Sequence, residues 1–226
     1  TIYLGIWVMR KKITIKQFGA AATTAIALVL SAASASAAPI TGLFATGVDG
    51  AGVALAGGAS DTHYSILSPA QQGVVINTIP GSWVNNTRTR RWIWETAAGT
   101  PVNVTRTFRT TFDLTGLDAA TASLSGLWAA DNAGLDIFIN GAATGNTCGG
   151  FSSLCGFNIA SGFVSGVNTL DFQVRDDGGI SGLLVSSLSG TAGESVTEIP
   201  EPGLIAIFAL GLAGLGFGRW AHNRRI

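Results

Sequence analysis

Between Pro39 and Ile199 the chain has no lysine and no methionine. Only 12% of its residues are charged. In that stretch twelve acidic residues face six arginines: Arg88, Arg90, Arg91, Arg106, Arg109 and Arg175. An acidic body without a basic stripe excludes nucleic acid as a partner, since phosphate binding needs clustered cations. Strong helix formers such as Glu and Lys are scarce, while glycine occurs 31 times, which excludes long amphipathic helices and favours short strands with many turns. Nucleophile-elbow, zinc-protease and phosphate-loop patterns are all missing. A glycosidase would need two carboxyls across a cleft, for which Glu95, Asp131, Asp136 and Asp176 are the available groups. The expectation is therefore a protein that is not an enzyme and has no cofactor.

Both ends carry the basic residues that the body lacks. Met9 is the sole methionine, and Arg10-Lys11-Lys12 follows it directly. An apolar stretch from about Phe18 to Leu30 leads to Ser34-Ala35-Ser36-Ala37-Ala38, a small-residue cleavage pattern. This order is that of a secretory signal peptide. It makes Thr1–Val8 an upstream extension and puts the mature start at Ala38 or close to it. In an exported chain, Cys148 and Cys155 read first as a disulfide closing a glycine-rich loop. Two free thiols remain the alternative, and two thiols are too few ligands for a structural zinc.

The body alternates apolar and polar residues with period two. Along Val102–Leu114, Val102, Val104, Phe108, Phe112 and Leu114 share one face, interrupted by Arg106 and Thr110. Further strands are expected at Ala122–Ala130, Leu135–Asn140, Val167–Arg175 and Gly182–Ser189. Weaker signals mark Thr41–Ala45, Val53–Ala56, His63–Leu67, Gly73–Thr78, Arg91–Glu95 and Phe157–Ala160. Many short strands with turns between them and no helical periodicity predict an all-β sandwich. The expected organisation is extension and signal peptide at 1–37, sandwich at 38–190, linker at 191–199 and a sorting tail at 200–226.

Two motifs carry a resemblance. Trp128-Ala-Ala-Asp131-Asn132-Ala-Gly134-Leu-Asp136-Ile-Phe-Ile-Asn140-Gly141 precedes Gly166-Val-Asn168-Thr-Leu-Asp-Phe-Gln-Val-Arg-Asp176-Asp177-Gly178-Gly179. Together they resemble the core of galactose-binding-like jelly rolls, over about a third of the body. The resemblance implies a jelly-roll-like β-sandwich, sugar binding through loops at one end, and a structural calcium.

The residues themselves offer two candidate sites. Trp83, Trp92 and Trp94 cluster with Arg88, Arg90 and Arg91. Exposed, the rings would stack on sugars while Arg91 bonds hydroxyls. Buried, they would fill the core, as Trp128 is expected to do. Asp131, Asn132, Asp136, Asp176 and Asp177 lie around two turns. They offer oxygen ligands for a cation such as calcium, or they close those turns through their own backbone. His63 reads as structural.

The tail begins with Pro200-Glu201-Pro202. An apolar run from Gly203 to Gly218 follows, and the basic residues Arg219, Arg224 and Arg225 end it. Sixteen residues make a short transmembrane helix, about 24 Å long. The arginines place the C-terminus in the cytoplasm and the body outside. The whole tail resembles the PEP-CTERM sorting signal of Gram-negative bacteria that make exopolysaccharide. The resemblance implies recognition of Pro200, Glu201 and Pro202 by exosortase, after passage through the secretion machinery and a transient stay in the inner membrane. Cleavage near the motif then leaves the protein at the cell surface or outside. The resulting expectation is an exported extracellular-matrix protein that binds polysaccharide without catalysis. The alternatives are a purely structural surface or biofilm protein, or a secreted hydrolase.

Overall fold

A computed structural model describes residues 36–195. The expected upstream extension and signal peptide up to Ala35, and Pro200, Glu201, Pro202, the apolar tail run and Arg219, Arg224 and Arg225, lie outside the described residues. Within them the chain is all-β, without a helix. The eleven strands are β1 (Ala37–Pro39), β2 (Ser60–Ile66), β3 (Gln71–Val75), β4 (Ile93–Trp94), β5 (Thr105–Asp113), β6 (Leu117–Asp131), β7 (Ala133–Ile139), β8 (Ala142–Ala143), β9 (Cys155–Ile159), β10 (Val167–Arg175) and β11 (Gly182–Glu194). All pairings are antiparallel, in the order β8-β7-β10-β5-β2-β3-β4-β11-β6-β9, with β1 added beside β11.

This one sheet turns back on itself. Phe172 of β10 packs against Trp128 of β6 and Phe157 of β9, with ring centroids 5.6 Å and 5.9 Å apart, although these strands stand far apart in the order. Trp94 of β4 meets Phe108 of β5 at 5.4 Å. Two facing layers result, consistent with a β-sandwich. The core lies between them, around Tyr64, Trp92, Trp94, Phe108, Trp128, Phe172 and Leu183. Burying an aromatic or branched side chain there stabilises the fold by about 1.5–3 kcal/mol relative to exposure.

Local sequence explains the best-formed strands. In β10, Leu170, Phe172 and Val174 point into the core while Thr169, Gln173 and Arg175 lie on the other face. In β5, Phe108 and Phe112 are buried, with Thr110 accommodated between them. The expected break at Arg106 is resolved by an ion pair with Glu95, whose side chain is only 8% exposed. Gly126 has a packing role: a Cβ there would lie 2.6 Å from the Phe157 ring.

Four differences from the sequence expectations have physical causes. Thr191–Glu194 is not linker but the end of β11. It is held by β6 through Thr191↔Ser123 and Glu194↔Leu117, and by β1 through Thr191↔Pro39 and Gly193↔Ala37. Ladder bonds from two neighbours hold a polar segment that no apolar pattern marks. Ala37, expected to precede the domain, is the first residue of β1. β6 begins at Leu117, ahead of the expected start at Ala122. Thr41–Ala45 and Val53–Ala56 are not strands. They belong to a long loop tied to the sheet by Thr46, whose hydroxyl donates to the Arg91 carbonyl (2.8 Å) and accepts from the Val185 amide (3.0 Å).

Candidate functional site

The tryptophan segment belongs to the core. Trp83, Trp92 and Trp94 are 4%, 0% and 0% exposed, so none presents a ring face to a sugar. Trp92 donates its indole N–H to the Val84 carbonyl (2.7 Å) and Trp94 to the Pro101 carbonyl (3.0 Å). Trp83 and Trp92 pack with centroids 4.3 Å apart. Gly182 makes room for both: a Cβ there would sit 2.7 Å from Trp83 and 2.8 Å from Trp92. A stacking platform built from these rings and Arg91 is thereby corrected. Arg91 is half-buried beside them, its amide bonded to the Thr46 carbonyl (2.8 Å).

The segment's neighbours build a different surface. A groove of about 260 Å³ is lined by Leu43, Phe44 and Ala45 of the long loop, by Thr89, and by Ser186–Leu188 of β11. Phe44 is half-buried and stacks on His63, with centroids 3.7 Å apart and planes 11° off parallel. The Tyr64 hydroxyl donates to the Phe44 carbonyl (2.8 Å) and fixes its backbone. The next turn is anchored by Asp61, which is fully buried and accepts from the amides of Gly47 (2.6 Å) and His63 (2.8 Å). Burial pushes Asp61 above the usual carboxylate range, against the pull of these bonds. On the other wall β11 has a bulge, with Ser187 in the left-handed region at φ 52°. The bulge breaks the alternation, so Ser186 and Ser187 both line the groove. Arg90 donates to the Ser186 hydroxyl (3.1 Å). Phe44, Thr89, Ser186 and Ser187 carry no motif, and no local signal in the sequence points to them.

The five acid and amide residues at the two turns are sorted by the structure. β7 and β10 pair from Ala133↔Arg175 onwards, which sets the turn after β6 beside the turn after β10. The Asn132 amide donates to the Arg175 carbonyl (2.9 Å), and the Asn132 side-chain oxygen accepts from the Asp177 amide (2.6 Å). Asn132 is therefore a clasp between the turns. Asp177 is exposed and forks with Arg175 at 2.9 Å and 3.0 Å. Asp136 is half-buried within β7 and accepts from the Ile137 amide (2.7 Å) and the Thr144 hydroxyl. These three close local structure.

Asp131 and Asp176 are different. They are 6% and 2% exposed. Asp176 accepts through Oδ2 from the amides of Asn103 (2.5 Å) and Gly178 (3.2 Å). The Oδ1 atoms of both residues are buried and have no hydrogen-bond partner. Burial first, and the charge of Asp176 second, push Asp131 up to about 6, with the Trp83 side chain opposing. Asn103, which carries no motif, holds φ 58° to bring its amide to Asp176.

Cys148 and Cys155 are joined in a disulfide, with Cα atoms 5.6 Å apart. Cys148 exchanges both backbone bonds with Gly134, and Cys155 begins β9 opposite Trp128. The bridge thus fastens edge strand β9 and its preceding loop to the start of β7.

Among the described residues no group of three His, Cys, Asp or Glu side chains converges as a metal site. No protein-family model matches the chain, and a search of curated proteins finds no relative.

Proposed function

We propose that this chain is an exported, non-catalytic β-sandwich protein of jelly-roll type, sorted by exosortase through its PEP-CTERM tail, that binds polysaccharide at the cell surface or in the extracellular matrix. The observation that carries the reading is the tail's order: Pro200-Glu201-Pro202, apolar run, arginine cluster. An ordinary membrane anchor needs no such motif. The disulfide supports an oxidising destination, where such bridges persist. The strand path supports the jelly-roll reading. β5, β7 and β10 adjoin one another, while β6, β9 and β11 fall in the opposite part of the order. Successive strands thus cross from one layer to the other.

For polysaccharide the groove beside Phe44 replaces the tryptophans. It combines an aromatic ring held by stacking with three hydroxyls from Thr89, Ser186 and Ser187. Sugar recognition uses a flat apolar face plus directed hydrogen bonds. Its lining has no titratable side chain, which supports binding rather than turnover.

Two measurements test the two parts. Mass spectrometry of the exported protein should find the C-terminus close to Pro200. A Glu201→Ala variant should remain full-length in the inner membrane, and its unchanged processing would remove the exosortase reading. Affinity electrophoresis of the purified mature protein in neutral and acidic polysaccharides should show retardation that Phe44→Ala abolishes. Equal mobility of wild type and Phe44→Ala in every polymer would leave a purely structural surface protein. Shortening of the polymer would make it a hydrolase.

A further inference from the structure

We propose that the groove beside Phe44 takes an acidic saccharide, one that contains uronic acid, and that Arg90 pairs with the sugar carboxylate. The proposal rests on the saccharide reading above and adds to it the charge of the ligand. The arginines of the body divide into two groups. Arg106, Arg109 and Arg175 each pair with an acid. Arg88, Arg90 and Arg91 fall within four residues, and among the described residues none of them has an acidic partner. Their segment is fixed beside the groove. Thr87 and Arg90 close a tight turn through the Thr87 amide and the Arg90 carbonyl (3.1 Å), and Thr89 within that turn lines the groove. The Arg88 carbonyl accepts from the Ala54 amide (2.9 Å), and the Arg91 amide donates to the Thr46 carbonyl (2.8 Å).

Of the three, Arg90 bonds to the groove itself. Its Nη1 donates to the hydroxyl of Ser186, a lining residue (3.1 Å). Its Nε is buried without a partner. The guanidinium keeps donor capacity unused, and its partial burial weakens the screening of its charge by water. A planar guanidinium edge matches the two oxygens of a carboxylate. Phe44 supplies the flat face for the sugar body, and Thr89, Ser186 and Ser187 supply hydroxyls. The nearby acids are engaged elsewhere. Asp49, next to lining residue Val48, accepts from the amides of Ala51 and Val53 (both 2.9 Å) and closes its own turn. Asp61 is buried on the amides of Gly47 and His63. The body as a whole carries twelve acids against six arginines. Overall charge therefore repels a polyanion, and binding one requires a local cation. Arg90 is that cation at the groove wall.

The test is isothermal titration of the purified mature protein at physiological salt with two ligands. One is an oligogalacturonate. The other is the same oligosaccharide methyl-esterified, which removes the charge and keeps length and linkage. Wild type should bind the acid form about tenfold or more tightly than the ester, the margin of a charge-assisted hydrogen bond. Arg90→Ala should lose that preference and bind both forms with the affinity of the ester. Arg90→Gln, which can still donate to Ser186, should lose it too. Arg175→Ala, at the exposed pair away from the groove, should keep it. The comparison of the two ligands on wild type stands even where a variant fails to fold. Equal affinity of wild type for acid and ester would overturn the proposal and leave Phe44-dependent saccharide binding standing. So would a preference that survives both Arg90→Ala and Arg90→Gln. Binding of neither form by wild type would also overturn it, and the electrophoresis of wild type and Phe44→Ala then shows whether the saccharide reading falls with it.

Discussion

Two sets of buried acids in this sandwich are handled in opposite ways. Asp171 and Glu95 lie within or beside the strands, and each has an arginine. Arg109 forks onto Asp171 with both contacts at 2.7 Å, and Arg106 pairs with Glu95. Asp131 and Asp176, at the strand ends, are as deeply buried and have none. The first set is solved by register. Asp171 stands opposite Arg109 in the β5–β10 ladder, so the pair forms wherever the strands pair correctly. The second set arises where two turns meet, and no ladder position supplies a cation there. Of the six arginines in the body, Arg106 and Arg109 pair with these strand acids and Arg175 with exposed Asp177, and none pairs with Asp131 or Asp176.

The contrast predicts a graded set of effects. Arg106→Ala should be the most damaging, because it strands a nearly buried Glu95. Breaking such a pair costs about 3–5 kcal/mol, read as a loss in urea unfolding free energy. Arg109→Ala should cost less, about 1–3 kcal/mol, since the arginine side chain is 35% exposed and water screens the pair. At the unpaired junction the sign should reverse. Asp131→Asn should leave stability unchanged or raise it by up to about 1–2 kcal/mol, because it removes an uncompensated charge. A loss as large as that of Arg106→Ala would erase the distinction between the two sets.

The same contrast has a pH signature. The folded-state pKa of Asp131 is raised, to about 6, so its protonated form is the one favoured by folding. That stabilisation is fully present below the unfolded value near 3.8 and is lost as pH rises through about 6. Wild type should therefore lose stability between about pH 4 and 6, and Asp131→Asn should flatten that slope. Asp61, raised by burial, contributes a slope of the same sign that the variant leaves in place. Chemical denaturation at a series of pH values separates the two. The smallest effect belongs to Arg175→Ala. Its side chain is 49% exposed and that of Asp177 55%, so the change should stay within about 0.5 kcal/mol.

Much of the fold was legible. β5 and β10 announce themselves because one face of each is buried and period two is then enforced residue by residue. The disulfide was legible from two close cysteines flanking a glycine-rich loop. The tryptophan segment was ambiguous. The same flat, amphipathic ring serves a core or a sugar, and only burial tells which. The end of β11 was hidden because its partners, not its composition, hold it. The groove was hidden too, since Phe44, Thr89 and Ser186 come from three separate segments. The acid turns were visible as a group of five, but the group could not be divided. Asp136, Asp177 and Asn132 carry the same polar chemistry as Asp131 and Asp176, and differ only in what surrounds them.

Sequence alone determined the all-β character, the strand faces and the cysteine pairing, because each follows from local order along the chain. Tertiary structure alone decided that the tryptophans are core, that a bulge turns two serines into a groove, and that two of five turn residues are each buried with one oxygen unsatisfied. Those outcomes depend on which distant segments meet, and local periodicity carries no information about that.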